Sequence, residues 1–481
     1  MKGKRKFRFI ISSLLLSTVL ALIPSGNVLA AGRTYVVDED DNLMPVPAAY
    51  EVYDSIYNLK EYGTLSHPQD ILLDGTDIYV ADSENNRILK MDRSGNVLQE
   101  YTEAFEQKLK NPCGIFVDGE KNIWIADTGN LRIVVIDQEG NSLETFGKPD
   151  SNLLSETFAF DAQKIALNSI GNIYALKGAN LMSIDRANNF HGYLGAVEVG
   201  FSLSRLLVRT FGSRSQIERT MKQQPASYSN FMIGNDGMIY GVLATGEKNQ
   251  IRRLNSVGNN TYPEDTYGFS IRQKGKKELT KPFFADITVA DNGILTVVDK
   301  NTGLLYQYDQ DGNLLAAFGG IGSYAGTYSV PVSLDVDDEG FLYVLDYSAG
   351  TVTILKPTEF ITLVHQAVTL YDAGKYAESK EYWQKVAEID SNYALAHQGL
   401  GKALFKEEKY KESLDQYKLG DDREGYSQAY SEYRHELFRK NFIWVVIAAF
   451  AIVIGFYKLI CLAKDKAKIW AQTAQMGGDL R

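Results

Sequence analysis

A stretch of the chain recurs about 45 residues further on, and this internal repeat constrains the fold more than any other feature. Residues 68–95 read PQDILLDGTDIYVADSENNRILKMDRSG, and residues 112–140 read PCGIFVDGEKNIWIADTGNLRIVVIDQEG. The Ala81-Asp82 pair of the first copy returns as Ala126-Asp127 in the second. Apolar and polar residues alternate between turns that contain Gly and Asn, as in short antiparallel strands. Such a period predicts a β-propeller blade, which must stack on its neighbours to bury both faces.

Four further copies of the unit follow along the chain. They lie at residues 172–185, 236–252, 287–312 and 331–355. On these motifs the chain resembles the NHL-repeat family, whose members fold as β-propellers, over about residues 50–357. The six units imply an all-β six-bladed propeller over that range. We expect the alternating segment 50–57 to complete the last blade by pairing with residues 351–355, which would hide an open strand edge.

Charge and cysteine content argue against two classes of protein. The formal net charge is -10, whereas a protein that binds nucleic acid needs a basic face to neutralise phosphates, so we expect no nucleic-acid partner. The two cysteines, Cys113 and Cys461, lie far apart in the sequence, which excludes a disulfide framework. Packing between blades must therefore supply the stability of the fold.

The two ends of the chain indicate export and membrane anchoring. Residues 1–30 combine a basic start, an apolar stretch and small residues at the end, which predicts a signal peptide, with an uncleaved signal anchor as the alternative. Residues 31–49 are acidic and mixed, and we expect a tether along the side of the ring. Residues 441–463 are apolar enough for one transmembrane helix. Export then places the propeller outside the cell and leaves residues 464–481 as a cytoplasmic tail.

Between the propeller and this span, the apolar period changes from that of strands to that of helices. Tyr376 and Tyr410 are 34 residues apart in similar surroundings, so residues 358–440 resemble tetratricopeptide repeats and predict a helical stalk. The sequence departs from that pattern at two serines, Ser379 and Ser413, which occupy the position usual for alanine. Glu408 also stands where the turn glycine is usual.

Candidate binding residues come from aligning the start of the first strand in each repeat, because these strand starts line the mouth of a propeller channel. The aligned ring consists of Asp70, Gly114, Lys164, Asn230, Asp286 and Ser333. Asp70, Asn230 and Asp286 offer oxygen ligands, which calcium or another divalent cation would prefer. Lys164 would oppose a cation. A hydrated channel mouth without metal is therefore the alternative.

A second candidate surface is an insertion between the third and fourth repeats. Residues 201–224 have helical periodicity and carry five basic residues, among them Arg205, Arg209 and Arg214. These three arginines are candidates for docking an anionic partner. The alternative is a helix packed against the ring with solvated arginines. A second basic segment, residues 272–281, is an expected exposed loop.

These features predict a binding protein rather than an enzyme. No nucleophile motif or phosphate loop occurs in the sequence. Of the five histidines, only His67 and His191 lie in the predicted propeller, which is too few for a zinc site with three histidine ligands. The chain resembles membrane-anchored NHL–TPR proteins of Gram-positive bacteria, which implies an extracellular scaffold at the envelope that binds a protein or a carbohydrate. The alternative is a metal-dependent hydrolase similar to six-bladed lactonases of the gluconolactonase type, using Asp70, Asn230 and Asp286.

Overall fold

The computed structural model describes the chain at residues 33–37, 42–195, 227–244, 248–272 and 278–476. The predicted signal peptide, the inserted segment of residues 201–224 and residues 273–277 of the basic run at 272–281 lie outside the described residues. The chain divides into two compact units between His365 and Gln366.

The first unit contains six antiparallel sheets, each of which is one blade. Three strands precede the first blade: β1 (Thr34–Val37), β2 (Leu43–Val46) and β3 (Tyr50–Ile56). The first blade and the short hairpin after it comprise β4 (Asp70–Asp74), β5 (Asp77–Asp82), β6 (Arg87–Met91), β7 (Val97–Tyr101), β8 (Glu103–Ala104) and β9 (Gln107–Lys108). The second blade comprises β10 (Gly114–Val117), β11 (Ile123–Asp127), β12 (Arg132–Ile136) and β13 (Ser142–Phe146).

The remaining four blades follow the same order of strands. The third blade comprises β14 (Ala162–Leu167), β15 (Ile173–Lys177), β16 (Asn180–Ile184) and β17 (Phe190–Tyr193), and the fourth comprises β18 (Tyr228–Ile233), β19 (Ile239–Leu243) and β20 (Ile251–Leu254). The fifth blade comprises β21 (Phe284–Val289), β22 (Leu295–Asp299), β23 (Leu304–Tyr308) and β24 (Leu314–Gly319), and the sixth comprises β25 (Pro331–Val336), β26 (Leu342–Asp346) and β27 (Thr351–Pro357). The first strands of successive blades are neighbours, and β25 lies beside β4. The blades therefore close a six-membered ring, which confirms the predicted propeller.

The ring is closed by a strand from the beginning of the chain. Strand β3 pairs antiparallel with β27, with Ile56 opposite Val352 and Tyr50 opposite Pro357. This confirms the predicted completion of the last blade. Strands β1 and β2 form a hairpin, and Tyr35 of β1 pairs with Ala317 of the fifth blade. The segment that we expected to be a tether thus extends a blade, because its β-branched run TYVV suits a strand.

Alternation along each strand is what joins neighbouring blades. On β11, Trp124 and Ala126 pack into a cluster shared with the third blade, where the Trp124 ring stacks on Phe146. Ile123 and Ile125 of the same strand pack on the other side, in a cluster shared with the first blade. Both faces of the strand are therefore buried. Each such aliphatic side chain contributes about 1.5–3 kcal/mol through burial.

A buried aspartate at the end of the second strand recurs in four blades. Asp82 accepts a hydrogen bond from the Ser66 amide at 2.7 Å and another from Arg87 Nε at 2.7 Å. The equivalent Asp127, Asp299 and Asp346 accept from the amides of Lys110, Phe283 and Ser329. Each aspartate ties the segment before a first strand to the second strand of the same blade. The repeated aspartates are therefore architectural.

Helices follow the propeller. The described ones are α1 (Glu359–Asp372), α2 (Tyr376–Ile389), α3 (Ala394–Lys406), α4 (Tyr410–Leu419), α5 (Arg423–Lys440) and α6 (Phe442–Met476). In the second unit, Ser379 Oγ donates to the Ala367 carbonyl at 2.7 Å, and Ser413 Oγ donates to the Gly401 carbonyl at 2.8 Å. The two serines thus make equivalent bonds one sequence period apart. The relation to tetratricopeptide repeats stays a prediction.

The last helix is apolar over most of its length. Within Phe442–Ala471, an 18-residue window has a mean hydropathy of 2.6, and none of that window is buried. By length and composition alone, this segment is a candidate membrane span.

Candidate functional site

Irregular pairing in four first strands sets the geometry of the channel mouth. The pairing between first and second strand shifts by one residue just before Lys164, Asn230, Asp286 and Ser333. A β-bulge of this kind bends the strand and redirects the side chain that follows it. The four predicted ring residues of blades three to six are therefore presented in the same way.

The second blade contributes close packing to the ring instead of a side chain. A Cβ atom on Gly114 would lie 2.5 Å from the backbone oxygen of Gln163 and 2.9 Å from the Cα of Lys164. Only glycine permits the first strands of blades two and three to approach so closely. This contact also helps to position Lys164.

Four of the predicted ring residues form one buried polar network. Lys164 Nζ lies 2.6 Å from Asp70 Oδ1, and the Ile115 amide donates to Asp70 Oδ2 at 2.8 Å. Ser333 Oγ lies 2.6 Å from Asp286 Oδ2 and 3.2 Å from Asp70 Oδ1. The structure therefore brings together residues from four different blades.

A cavity of about 330 Å³ opens at this mouth. The residues directly before the ring positions form its wall, namely Gln69, Cys113, Gln163, Ser229, Ala285 and Val332. Asp70, Lys164 and Asn230 form its floor. Asp286 and Ser333 lie behind the floor and are fully buried. Lys300 also lines the cavity, and its ammonium group stacks over the Phe283 ring at 4.1 Å.

Burial and charge together determine the protonation of the network. Burial raises the pKa of Asp286 to about 6, with Asp70 adding to the rise and Lys164 opposing it. Burial lowers the pKa of Lys164, but the attraction of Asp70 and Asp286 outweighs it, so the pKa of Lys164 is raised overall. Lys164 is therefore a cation at neutral pH. Asp286 exchanges its proton close to neutrality.

A further carboxylate lies one strand step deeper in the channel. Asp335 follows Ser333 by two residues and accepts hydrogen bonds from Thr288 Oγ1 at 2.9 Å and from the Leu73 amide at 2.8 Å. Burial raises the pKa of Asp335. Three carboxylates thus surround one lysine at the centre of the ring, which favours a proton on at least one of them.

The geometry of the floor does not fit the metal suggested by the lactonase alternative. The Lys164 ammonium occupies the position beside Asp70 that a cation would need. Asp286 is engaged by Ser333 and by the Leu334 amide at 3.0 Å. Among the described residues, no group of three or more His, Cys, Asp or Glu side chains is arranged to hold a metal ion. Asp70, Asn230 and Asp286 do not form a set of free oxygen ligands.

Sequence reasoning placed the ring but missed part of the site. Asp335 and Thr288 could have been found by moving two residues along the same strand face, since strand side chains alternate. The wall residues, such as Gln163 and Ser229, could not have been found in this way, because a one-residue bulge does not change the apolar pattern of the sequence. Lys300 comes from a different strand connection. The docking candidates Arg205, Arg209 and Arg214 lie outside the described residues.

Comparisons with known proteins agree with a propeller of this general type. Residues 26–165 match the sequence family described as SMP-30/Gluconolactonase/LRE-like region, which is less than half of the chain. No curated protein sequence matches.

Among solved structures, the chain is similar to two lyases and to one β-propeller domain. A streptogramin B lyase is 14% identical, with 68% of this chain and 87% of that chain covered and a TM-score of 0.40. The selenomethionine-substituted virginiamycin B lyase from Staphylococcus aureus is also 14% identical, with 68% and 89% covered and a TM-score of 0.37. The Cps50 (Swd1) propeller domain from Myceliophteria thermophila is 9% identical, with 64% and 100% covered and a TM-score of 0.41. Similarity at this level does not extend to function.

Proposed function

We propose that this chain is a membrane-anchored binding protein whose channel-mouth cavity takes a small carbohydrate at the outer face of a bacterial cell. The single observation that carries the proposal is the composition of the cavity. Its floor and wall combine the Asp70–Lys164 ion pair with side-chain amides of Gln69, Gln163 and Asn230. Sugars present many hydroxyl groups, each of which donates and accepts, and such mixed polar groups suit them.

The size and the apolar parts of the cavity support the same ligand class. About 330 Å³ lies at the lower end of the range for small-molecule pockets. Phe283 is partly exposed and lines part of the cavity, where it offers apolar surface to the C–H face of a sugar. A polysaccharide could place only one end or one sugar residue in a cavity of this size.

A hydrolase of the lactonase type is less well supported. That chemistry needs a metal ion to polarise the substrate carbonyl. Lys164 pairs with Asp70 at 2.6 Å in the place where the predicted ligands would meet the ion. The remaining groups include no nucleophile with an adjacent general base among the described cavity residues.

The membrane setting of the proposal has separate support. The apolar segment Phe442–Ala471 would anchor the chain, and the basic and apolar residues at 1–30 would direct its export. The helical region of residues 358–440 would offer a surface to an envelope partner. Protease added to intact cells should remove the propeller and spare the tail after Lys464. Protection of the propeller would contradict this topology.

Calorimetric titration of the full-length protein in detergent with a panel of monosaccharides and short oligosaccharides tests the carbohydrate function. Removing one hydrogen-bonding group from the floor, in Asn230→Ala, should weaken binding by about tenfold. Lys121→Met is the control, because Lys121 pairs with Asp74 at the other end of strand β4. Absence of saccharide binding, or equal binding by Asn230→Ala and the unmodified protein, would contradict the proposal.

A further inference from the structure

We propose that the ligand of the cavity is a sugar acid whose carboxylate accepts hydrogen bonds from Lys164 and Asn230. Ser333 couples the binding of this carboxylate to the uptake of a proton by Asp286. This inference rests on the proposed carbohydrate function and specifies the charge of the ligand. It also predicts that binding takes up a proton from solvent.

The floor of the cavity has more free donors than free acceptors. An ammonium group has three N–H donors, and within the described chain Lys164 uses one of them, on Asp70. The Asn230 side chain is only 8% exposed. Its oxygen accepts from the Phe231 amide at 2.8 Å, whereas its NH₂ group has no partner among the described residues.

The acceptors of the floor are already engaged. Asp70 receives Lys164 on one oxygen, which also lies 3.2 Å from Ser333 Oγ, and the Ile115 amide on the other. A ligand group at the floor must therefore accept hydrogen bonds without needing to donate. A carboxylate does so, whereas a hydroxyl group would leave its proton without an acceptor. Lys300 at the rim adds a second positive charge on the approach to the floor.

A single hydroxyl proton connects the floor to the buried acid behind it. Ser333 Oγ lies 2.6 Å from Asp286 and 3.2 Å from Asp70, and it accepts from the Ile71 amide at 3.3 Å. Its one proton cannot serve both carboxylates at once. When Asp286 is ionised, Ser333 donates to Asp286. When Asp286 carries a proton, Asp286 donates to Ser333, and Ser333 can turn its own proton towards Asp70.

The second arrangement suits an anionic ligand. With Ser333 donating to Asp70, Lys164 is less strongly held by Asp70 and can share its charge with the ligand. The charged groups that act on Asp286 are Asp70 on β4 and Lys164 on β14. Its strand partner Val298 on β22 is uncharged, and the adjacent first strands β18 and β25 carry the uncharged Asn230 and the buried Asp335. A new negative charge at the floor disfavours ionised Asp286.

The sign of the pH dependence follows from this coupling. Burial already raises the pKa of Asp286 to about 6, and the ligand raises it further. Binding therefore takes up a proton between about pH 6 and 8, and affinity falls as the pH rises through this range. The carboxylate of a sugar acid stays ionised throughout, because carboxyl groups titrate near pH 4.

Matched pairs of ligands test the charge preference. Glucuronate with glucose, and galacturonate with galactose, differ mainly in the carboxylate. The full-length protein at pH 6 should bind each uronate at least about tenfold more tightly than its neutral partner. If a neutral sugar binds as tightly as its uronate, the inference is overturned while the carbohydrate function stands. If no member of either pair binds, both the inference and its carbohydrate basis are contradicted.

Proton uptake is measured by repeating the uronate titration in two buffers of different ionisation enthalpy. We expect uptake of a fraction of one proton, and an affinity about tenfold lower at pH 8 than at pH 6. Asp286→Asn keeps the shape of the side chain and should bind the uronate with much smaller uptake and little pH dependence. Lys121→Met should behave like the unmodified protein. Uronate binding without proton uptake, or uptake unchanged in Asp286→Asn, would overturn the coupling through Ser333.

Discussion

Two lysine–aspartate pairs at opposite ends of strand β4 should differ sharply in their effect on stability. Lys164 Nζ lies 2.6 Å from Asp70, and Lys121 Nζ lies 2.6 Å from Asp74. The side chains of the first pair are 13% and 1% exposed, whereas those of the second are 60% and 25% exposed. The shortest distances are the same, so the main contrast between the two pairs is their burial.

The expected changes in the free energy of unfolding follow from the cost of leaving a buried charge unpaired. Lys164→Met leaves the buried Asp70 carboxylate without a cation, and among the described residues its remaining neighbours in hydrogen-bonding distance are the Ile115 amide and Ser333 Oγ. Breaking a buried pair in this way costs about 3–5 kcal/mol of the free energy of unfolding. Lys121→Met removes an exposed pair, which contributes about 0–1 kcal/mol. The double variant Lys164→Met, Asp70→Asn should recover most of the loss, because it leaves no unpaired charge.

Hydrogen exchange of the full-length protein measures this difference locally. In Lys164→Met, peptides from β4 and β14 should lose protection by an amount that corresponds to about 3–5 kcal/mol. In Lys121→Met the same peptides should stay protected. Equal losses in the two single variants would refute the argument that burial decides the contribution. Failure of Asp70→Asn to restore protection in the double variant would refute the unpaired-charge explanation.

Three other features of the protein can each be tested by substitution. Because burial raises the pKa of Asp286 from 3.8 to about 6, this group favours folding most below pH 4 and that contribution is lost as pH rises through 6. Between pH 4 and 7, the free energy of unfolding of Asp286→Asn, measured with denaturant, should therefore increase by up to about 3 kcal/mol relative to that of the unmodified protein. A difference in unfolding free energy that does not change with pH would contradict the raised pKa. Glu408 occupies a turn with φ of 60°, equivalent to Gly374 with φ of 76°. Glu408→Gly should stabilise the helical unit by about 0.5–1 kcal/mol in thermal unfolding, and Gly374→Ala should destabilise it by a similar amount. Effects of the opposite sign would show that the two turns are not equivalent. Gly114→Ala should cost about 1–3 kcal/mol in thermal unfolding, because its Cβ would meet the backbone of the next blade, whereas Gly119→Ala, with open space around it, should cost much less.

The architecture of the propeller followed from the sequence because it depends on a repeated pattern. The pair Ala81-Asp82 recurs at Ala126-Asp127, and each pair lies at the end of the second strand of its blade. Alternation also predicted that residues 50–57 would complete the sixth blade, as β3 does. The hairpin of β1 and β2 was not predicted, because its two strands of four residues are too short to give a periodic signal.

The candidate site was predictable in position but not in chemistry. The ring of Asp70, Lys164, Asp286 and Ser333 could be aligned from the start of each first strand. That Lys164 pairs with Asp70, two blades away, depends on bulges and on the close packing at Gly114, and neither leaves a pattern in the sequence. The prediction of a possible cation site considered ligand types alone, whereas the structure shows which neighbours those ligands already have.

A crystal structure of the full-length protein with glucuronate tests the central claim most directly. We predict density for the sugar in the channel-mouth cavity, with its carboxylate within hydrogen-bonding distance of Lys164 Nζ and Asn230 Nδ2, and with Ser333 Oγ still beside Asp286. A metal ion bound by Asp70 at the floor, or the sugar bound elsewhere with the cavity empty, would contradict the account.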